Sequence, residues 1–399
     1  MLSAQQIELV QGTIPALREN GTALTTYFYQ RMLKNSPELK EVFNMGHQRS
    51  GGQAKALADA VLAYAENIQK LEVLGDAVKH IVSKHVSLNI QPAQYDIVGE
   101  NLLHSISEVL SISMESDLIS AWATAYQQLA NLLIAAEKEV YAENLAQTNG
   151  WNGWKDFIVV RKEKESDNIT SFYLSAADGS SLPKYNAGQF VSIRVDVPEL
   201  GFKQPRQYTL SDSANDQVYR ISVKREDGID DFADGYVSTT LHKSIKEGDH
   251  LELTSPTGNF FLQDQEKENV FISAGVGITP MISMLMTLKE HDAKMPITFI
   301  HACKNEQVFA MRQQLNDAKT ALPQLKTFLA CETPSDKIAF DKIGRVDLSE
   351  LDNTLLPENA DYYICGPLAF MKAQHHALIE RGIAQEQIHM ELFNTGNIV

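Results

Sequence analysis

Residues 269–280 read NVFISAGVGITP, and this stretch decides the fold of the C-terminal part of the chain. Its first half is a short apolar run typical of a buried strand, and its second half places two glycines directly before a helical pattern. Glycines at such a turn let a ligand approach the backbone, and the N-terminus of the helix favours negative charge. We predict a phosphate-binding turn, with Pro280 at the first helical position behind Thr279 as its cap.

Downstream of this turn, strands alternate with helices. The strand candidates are ITFIHAC (297–303), KTFLAC (326–331) and DYYICG (361–366), and helical patterns follow at 279–289, near 306–317 and from Pro367. This alternation indicates a parallel α/β sheet, and Cys365-Gly366-Pro367 repeats the strand–turn–helix pattern at the same carboxyl edge.

Upstream, the texture is that of an antiparallel β-barrel. Short β-rich runs alternate with turns at DFIVVRKE (156–163), ITSFYLS (169–175), QFVSIRVDV (189–197), QYTLSD (207–212), YRISVKRE (219–226) and DHLELTSP (249–256). Strands this short and regularly spaced favour a barrel. A charged linker over 263–269 separates the barrel from the sheet.

Two barrel segments carry candidate binding chemistry. Arg206-Gln207-Tyr208-Thr209 is expected at the start of a strand, after a proline-containing turn. The arginine can pair with a pyrophosphate, the tyrosine can lie against a flavin ring and the threonine can hydrogen-bond a ring edge; an ordinary strand with an exposed arginine is the alternative. Residues 235–242 read as a loop entering a short helix, whose first N–H groups form an anion site.

The first 147 residues are predicted to be helical throughout. Ser3 and Gln6 form a capping-box pattern, Pro15 is expected to kink the first segment, and Ser36-Pro37-Glu38 is expected to cap and open another short helix. Further helices are predicted at about 51–71, 75–88, 94–111 and 116–146.

Composition excludes several classes of protein. The net charge is −16, with 51 acidic against 35 basic residues, and no basic face is evident that would attract nucleic acid. The three cysteines, Cys303, Cys331 and Cys365, are spaced neither for a disulfide framework nor for a zinc or iron–sulfur site. No apolar run is long enough for a membrane helix and no secretory signal is present, so we expect a cytoplasmic protein.

Several residues of the helical part stand out. Gln53, Leu57 and Val61 share one helix face, and His85 lies on an apolar stripe, where a lone histidine is more often a core residue than a ligand. Tyr95 and Glu137 are polar residues in apolar patterns, although Glu137 also lies next to charged neighbours, as a solvated helix residue would.

The barrel and sheet motifs, in this order, resemble the ferredoxin–NADP reductase superfamily, and the order Tyr29, Phe43, Gln53, Leu57, His85 resembles a globin. The whole chain therefore resembles the flavohaemoglobin family. The resemblance implies an all-α globin at 1–147, a FAD-binding antiparallel barrel at 151–262 and an NAD(P)H-binding α/β domain at 268–399.

The resemblance also implies haem b, FAD and NAD(P)H as cofactors. His85 would be the iron ligand. The other residues implied in haem chemistry are Tyr29, Phe43, Gln53, Leu57, Lys84, Tyr95 and Glu137. Those implied at FAD are Phe190, Arg206, Gln207, Tyr208, Thr209, Val237, Ser238, Thr239, Glu391, Leu392, Phe393 and Asn394. Those implied at the nicotinamide dinucleotide are Gly275, Val276, Gly277, Ile278, Thr279, Pro280, Cys365, Gly366 and Pro367.

The family activity is nitric oxide dioxygenase: NAD(P)H reduces FAD, FAD reduces haem iron, and dioxygen on haem oxidises nitric oxide to nitrate. Two alternatives remain, an NAD(P)H-dependent flavin, ferric or hydroperoxide reductase and a gas-sensing haem protein. The expected partners are small molecules only, and the expected state is a monomer. The sequence leaves open the choice between NADH and NADPH and the role of the acidic segment 227–235.

Overall fold

The computed structural model describes residues 2–228, 235–335 and 339–393. Among the described residues, two compact units form, one from residues up to Trp154 together with Arg194–Arg206, the other from Lys155–Ile193 and from residues 207–393. Within the described ranges, no helix is both long and apolar enough to cross a membrane.

The part of the first unit that precedes Lys155 is built from helices, as the sequence predicts. Its α-helices are α1 (Ala4–Gly12), α2 (Ile14–Asn35), α3 (Met45–Ser50), α4 (Gly52–Glu66), α5 (Gly75–Ser87), α6 (Pro92–Leu110) and α7 (Asp117–Ala146), and short 3₁₀ helices span Pro37–Glu41 and Leu71–Leu74.

The ends of these helices follow the local chemistry only in part. The Ser3–Gln6 capping box is present at the start of α1. The expected kink at Pro15 is wrong: α1 stops, and Pro15 lies in the first turn of α2, where its missing N–H costs no intrahelical bond. Ser36 precedes the expected short helix, which is 3₁₀, but its side chain makes no capping hydrogen bond.

Helices α2 and α4 approach each other closely because small residues meet at their crossing. A Cβ at Gly21 would lie 3.4 Å from the Cβ of Ala58, and the Thr25 hydroxyl donates to the carbonyl of Ala54 over 2.7 Å. This bond satisfies a buried hydroxyl and fixes α4, which carries Gln53 and Leu57, against α2, which carries Tyr29.

The barrel region forms a six-stranded sheet of order β4-β3-β6-β1-β2-β5. Its strands are β1 (Lys155–Lys164), β2 (Ile169–Ala176), β3 (Phe190–Val197), β4 (Phe202–Thr209), β5 (Tyr219–Lys224) and β6 (His250–Leu253), and helix α8 (Tyr236–Lys243) lies between β5 and β6. β1 pairs antiparallel with β2 and β6, and β2 with β5. A bridge between Leu210 and Ile221 joins the end of β4 to β5, which brings the two edge strands together.

The expected place of the Arg206 motif needs correction. Arg206 through Thr209 end β4 rather than begin a strand, and Pro205 lies inside that strand rather than in a turn. Proline is tolerated there because β4 is an edge strand, where a missing N–H breaks no ladder.

The C-terminal sheet is parallel, as predicted, and has the order β10-β9-β8-β7-β11-β12. The strands are β7 (Asn269–Ala274), β8 (Ile297–Cys303), β9 (Leu325–Cys331), β10 (Lys342–Ile343), β11 (Asp361–Cys365) and β12 (Ile388–Glu391), and the helices are α9 (Ile278–Glu290), α10 (Arg312–Ala321) and α11 (Leu368–Glu380).

The helix expected near 306–317 is not continuous. A 3₁₀ turn at Glu306–Val308 precedes α10, and Met311 between them has a left-handed φ of 60°, which no continuous α-helix can accommodate. The helix α9 begins at Ile278 behind Gly277, so Thr279 is not its cap and Pro280 is not its first residue; both lie within the first turn.

Candidate active site

His85 lies on α5 at the centre of a three-residue hydrogen-bond network. Its Nδ1 is 2.8 Å from the Tyr95 hydroxyl on α6 and 2.7 Å from Oε1 of Glu137 on α7, and the Tyr95 hydroxyl donates to the same oxygen over 2.5 Å. Three helices therefore converge on one imidazole. The alternative reading of Glu137 as a solvated helix charge is wrong, because the residue is 2% exposed.

The network determines which nitrogen of His85 is available. A carboxylate only accepts hydrogen bonds and Tyr95 already donates to it, so Nδ1 of His85 must carry the proton. Nε2 is then unprotonated, and its lone pair is available to bind iron. Burial, followed by the hydrogen bond to Glu137, raises the pKa of Tyr95, so the phenol stays protonated as a donor.

Tyr126 is a supporting residue that the sequence reasoning missed. Its hydroxyl donates to the Tyr95 carbonyl over 2.6 Å, and its ring occupies the space above Gly99, where a Cβ would come within 2.5 Å of it. Tyr126, Leu133 and Glu137 share one face of α7 at helical spacing. This spacing is visible in the sequence and indicates that Tyr126 lies on the same helix face as the buried carboxylate of Glu137.

Four more residues implied in haem chemistry lie on α2, on α4 and in the segment between these helices: Tyr29, Phe43, Gln53 and Leu57. Tyr29 is 8% exposed, and its ring meets Phe43 edge-to-face with centroids 5.5 Å apart. Leu57 and Phe43 border the same apolar cluster that contains Tyr29. Gln53 is half-buried on α4 and accepts a hydrogen bond from the side chain of Gln48 over 2.6 Å.

Burial raises the pKa of Tyr29 well above the usual value, so its hydroxyl is a permanent donor. Among the described residues, none hydrogen-bonds this hydroxyl. A donor that no described residue engages is available to a bound ligand. Lys84 is half-buried on α5 directly before His85.

The flavin candidates of the barrel lie on β3, β4 and α8. Along β4, Arg206 and Tyr208 are half-buried, Gln207 is exposed and Thr209 is buried. Phe190 opens β3, and its ring lies so close to Gly258 that a Cβ there would be 2.9 Å from it. Gly258 also has a φ of +123°, so both space and backbone require glycine at this position.

Helix α8 begins with the other expected flavin residues. Val237, Ser238 and Thr239 are buried in its first turn. No side chain caps the helix, and Ser238 instead accepts from the N–H of Glu226 and donates to the carbonyl of Gly235, each over 3.2 Å. Because no side chain caps the helix, its first backbone N–H groups are not used by a capping side chain, and they are the groups that bind a phosphate at a helix start.

The nucleotide candidates meet at the carboxyl edge of the parallel sheet. The Gly275–Gly277 turn follows β7, while Cys365 ends the neighbouring strand β11 and Gly366 and Pro367 follow it. A Cβ at Gly277 would overlap the Cys365 carbonyl oxygen, so the two turns pack against each other. Ile278, Thr279 and Pro280 are buried in the first turn of α9, Val276 is half-buried, and the Thr279 hydroxyl donates to the Val276 carbonyl over 3.0 Å.

This edge is the topological switch point of the sheet. The chain runs from β7 to β8 on one side, while β11 lies on the other side of β7. Loops leaving adjacent strands in opposite directions open a crevice, where open α/β sheets bind nucleotides. The motif reading and the topology therefore point to the same place.

The C-terminal candidates follow β12. Glu391 ends that strand opposite Cys365, Leu392 is 9% exposed and Phe393 is 42% exposed. Phe393 is therefore not a core residue at the end of this strand. Asn394 and most of the acidic segment 227–235 lie outside the described residues.

Three family models match the chain in the expected order. They are Globin over residues 26–133, Oxidoreductase FAD-binding domain over 156–262 and Oxidoreductase NAD-binding domain over 271–376.

Relatives match over the full length. The chain is 47% identical to the Flavohemoprotein of Bordetella pertussis over 404 residues, covering 100% of both chains. It is 45% identical to the Flavohemoprotein of Rhizobium meliloti, covering 98% of each.

Solved structures agree with this likeness. A flavohemoglobin from Malassezia yamatoensis with bound FAD and heme has a TM-score of 0.86 at 28% identity, covering 98% of this chain and 100% of that one. The FAD/NAD-binding domain of a nitric oxide dioxygenase from Vibrio cholerae is 36% identical, with a TM-score of 0.55, and covers 60% of this chain and 98% of its own.

Proposed function

The chain belongs to the flavohemoprotein family, and from this premise we propose that it is a nitric oxide dioxygenase. Membership makes it an NAD(P)H-dependent oxidoreductase with a globin and a two-domain reductase. The proposal adds the reaction: dioxygen and nitric oxide are converted to nitrate with electrons from NAD(P)H.

The observation that carries the proposal is the His85–Tyr95–Glu137 network. A buried carboxylate on Nδ1 makes an imidazole more basic, and a histidine ligand with an anionic partner donates more electron density than one bonded to a backbone carbonyl. Such donation favours oxygen activation over simple reversible carriage of a gas. A gas sensor has no need of this proximal charge.

Tyr29 provides the complementary group on the opposite side. Its hydroxyl stays protonated because burial of the residue raises its pKa, and its ring packs against the rings of Phe28 and Phe43, with centroids 5.0 and 5.5 Å away. A preorganised donor of this kind stabilises negative charge as it develops on a bound diatomic ligand, without reorganising at the moment of reaction.

The cofactors divide the remaining chemistry. Haem supplies the site of oxygen chemistry, and FAD converts the two-electron delivery of NAD(P)H into single electrons that iron can accept. The turns at Gly275–Gly277 and Cys365–Pro367 would hold the nucleotide at the switch point, while β4 and the start of α8 would hold FAD. Arg206 would pair with the pyrophosphate.

Glu137→Gln tests the proposal, because it removes the charge while keeping the shape of the side chain. We expect NADH-dependent consumption of nitric oxide in air to fall about tenfold to a hundredfold, the usual effect of losing such a partner. Reduction of ferricyanide by NADH, which needs only the flavin half, should stay at the wild-type rate.

Glu139→Gln is the matched control, since Glu139 is exposed on the same helix. Equal nitric oxide consumption by the Glu137 and Glu139 variants would refute the claim that Glu137 supports the reaction through His85. Turnover with ferricyanide or a hydroperoxide but none with nitric oxide in the wild type would favour the reductase alternative.

A further inference from the structure

Cys303 and Cys331 are neighbours in the sheet although 28 positions separate them in the sequence. Cys303 ends β8 and Cys331 ends β9, and the two residues pair directly in the parallel register. Paired residues on adjacent strands lie about 4.8 Å apart, within the roughly 4.4–6.8 Å between Cα atoms that a disulfide spans. Their side chains point to the same face, so a bridge needs no slip in register.

The strand pairing places the thiol of Cys331 beside that of Cys303. Each also points at a backbone carbonyl, Cys303 at Ala330 over 3.7 Å and Cys331 at Lys304 over 3.8 Å. Cys365 is two strands away from Cys303, because β7 lies between β8 and β11. The geometry therefore selects one pair out of the three cysteines.

The pair also lies at the edge of the sheet where the loops begin. Glu332 donates its N–H to the Cys303 carbonyl over 3.1 Å, and Gly344 donates to the Cys331 carbonyl over 2.8 Å. Thr333 donates its N–H and its hydroxyl to the Lys304 carbonyl over 3.0 and 2.8 Å. The distance between the two cysteines therefore sets the distance between the starts of the two loops that leave β8 and β9 at the carboxyl edge.

We propose that Cys303 and Cys331 form a modification site, a dithiol that a peroxide oxidises to a cross-strand disulfide. The thiolate of one cysteine attacks the peroxide O–O bond, giving a sulfenic acid and water. The second thiol attacks the sulfenic sulfur, the S–S bond forms, the S–O bond breaks and a second water leaves. Two thiols are oxidised and one hydrogen peroxide is reduced.

The surroundings make this a slow site. Cys303 is 5% exposed and Cys331 is fully buried, so only a small oxidant reaches them, through Cys303. Burial, and next the neighbouring Cys331, raise the pKa of Cys303 to about 12, against a smaller opposing effect of Arg312 on α10. Glu306 adds to the rise. Because the thiolate is scarce at neutral pH, the site responds to sustained rather than brief exposure.

The effect of this disulfide on the enzyme rests on the proposed binding of the nucleotide at this edge of the sheet. Closing the bridge fixes the spacing between the starts of the two loops and restrains them, so we expect weaker binding of NADH. The electron transfer that follows binding should be unaffected.

The covalent step is tested on the wild-type holoprotein. The protein is incubated with hydrogen peroxide, denatured, alkylated and mapped by mass spectrometry without reduction. We expect one linked peptide that joins residues 303 and 331, with Cys365 alkylated. Alkylation of all three cysteines, separate sulfinic acids, or a link that includes Cys365 would overturn the proposal. This test needs no variant, so it does not depend on how a mutant folds.

The functional step is tested by ferricyanide reduction, which bypasses haem and nitric oxide. After peroxide treatment, the KM for NADH should rise at least about threefold with little change in kcat, and dithiothreitol should reverse it. Cys331→Ala and Cys303→Ala should show no such rise.

An equal rise of KM in either alanine variant, or a linked peptide with unchanged KM, would refute the effect on NADH. Because this assay contains no nitric oxide, it stands or falls separately from the dioxygenase proposal.

Discussion

Tyr29 is the single residue whose role can be isolated most cleanly. We predict that Tyr29→Phe speeds dioxygen release about tenfold to a hundredfold and lowers nitric oxide turnover, because a hydrogen bond to a charged group contributes about 1.5–3 kcal/mol. Flash photolysis or stopped-flow mixing measures the release rate.

Tyr27→Phe is the control for this change. Tyr27 lies two positions earlier on α2, but it is 39% exposed and its hydroxyl bonds Glu108 over 2.5 Å. Dioxygen release from that variant should match the wild type. If Tyr29→Phe also releases dioxygen at the wild-type rate, Tyr29 has no part in the mechanism.

Individual residues also mark how far the sequence could predict the site. Tyr95 and Glu137 could be singled out because a polar residue in an apolar helical pattern needs a partner, and the structure joins them at His85. The Cys303–Cys331 pair could not be singled out, since it depends on the register of two strands separated by a helix. Register is a property of the sheet and not of local spacing.

Among the elements, the turn after β7 gives the sharpest prediction. Gly277→Ala should raise the KM for NADH at least about tenfold, because the added Cβ overlaps the backbone of Cys365 and forces the two turns apart. Steady-state ferricyanide reduction measures this directly.

Two companion variants separate the causes. At Gly275, a Cβ meets nothing within 4 Å but the φ is +56°, so Gly275→Ala should cost about 1 kcal/mol of backbone strain and have a weaker effect. Gly12→Ala, in open space on α1, should leave NADH kinetics unchanged. Identical KM values for the three alanine variants would contradict the packing of the turns.

Strand β8 carries a buried histidine, and this residue makes the stability of the parallel sheet depend on pH. His301 is 2% exposed, its Nδ1 is 2.9 Å from the Ser273 hydroxyl, and burial lowers its pKa to about 3. In the unfolded chain the pKa is about 6.5, so the unfolded state binds a proton first as the pH falls. Stability is therefore complete above pH 6.5 and is lost below it, by about 1.4 kcal/mol per pH unit.

Hydrogen exchange of the β7–β9 amides, corrected for the intrinsic rate, measures this slope between pH 7 and about pH 5. His301→Phe keeps a ring beside Phe309, whose centroid lies 5.0 Å from that of His301, and should reduce the slope. His376→Phe, at an exposed site on α11, should not. Equal slopes in all three proteins would contradict the assignment to His301.

Most elements follow from periodicity, but their ends do not. The capping box at Ser3 and the strand–helix alternation were readable locally. The start of α9 was not, because two glycines already lead into the helix before Thr279. Pro205 was misread for a similar reason, since only the strand order reveals that β4 is an edge, where proline is tolerated.

At the scale of the whole molecule, the helical, antiparallel and parallel regions succeed one another in the order that the sequence predicts. The pattern of apolar residues changes near residues 150 and 265, and these two changes are sufficient to predict the order of the regions. Helices, antiparallel strands and parallel strands differ in the period and spacing of their apolar residues. The boundaries 1–147, 151–262 and 268–399 remain a proposal.

NADH, FAD and haem are expected to form a complete electron path. In the absence of oxygen, NADH should bleach the flavin band and convert the haem spectrum to the ferrous form. Bleached flavin with ferric haem would mean that the two halves do not exchange electrons. The wild-type spectrum alone, recorded before NADH is added, tests whether the protein binds haem, as the assignment of His85 requires.

The most direct test of the central claim is the yield of nitrate from nitric oxide and NADH in air. Because a hydride carries two electrons and each nitric oxide requires one, the account predicts one nitrate per nitric oxide and two nitrates per NADH. Nitric oxide consumption without nitrate, or NADH oxidation that nitric oxide does not accelerate, would contradict the assignment as a nitric oxide dioxygenase.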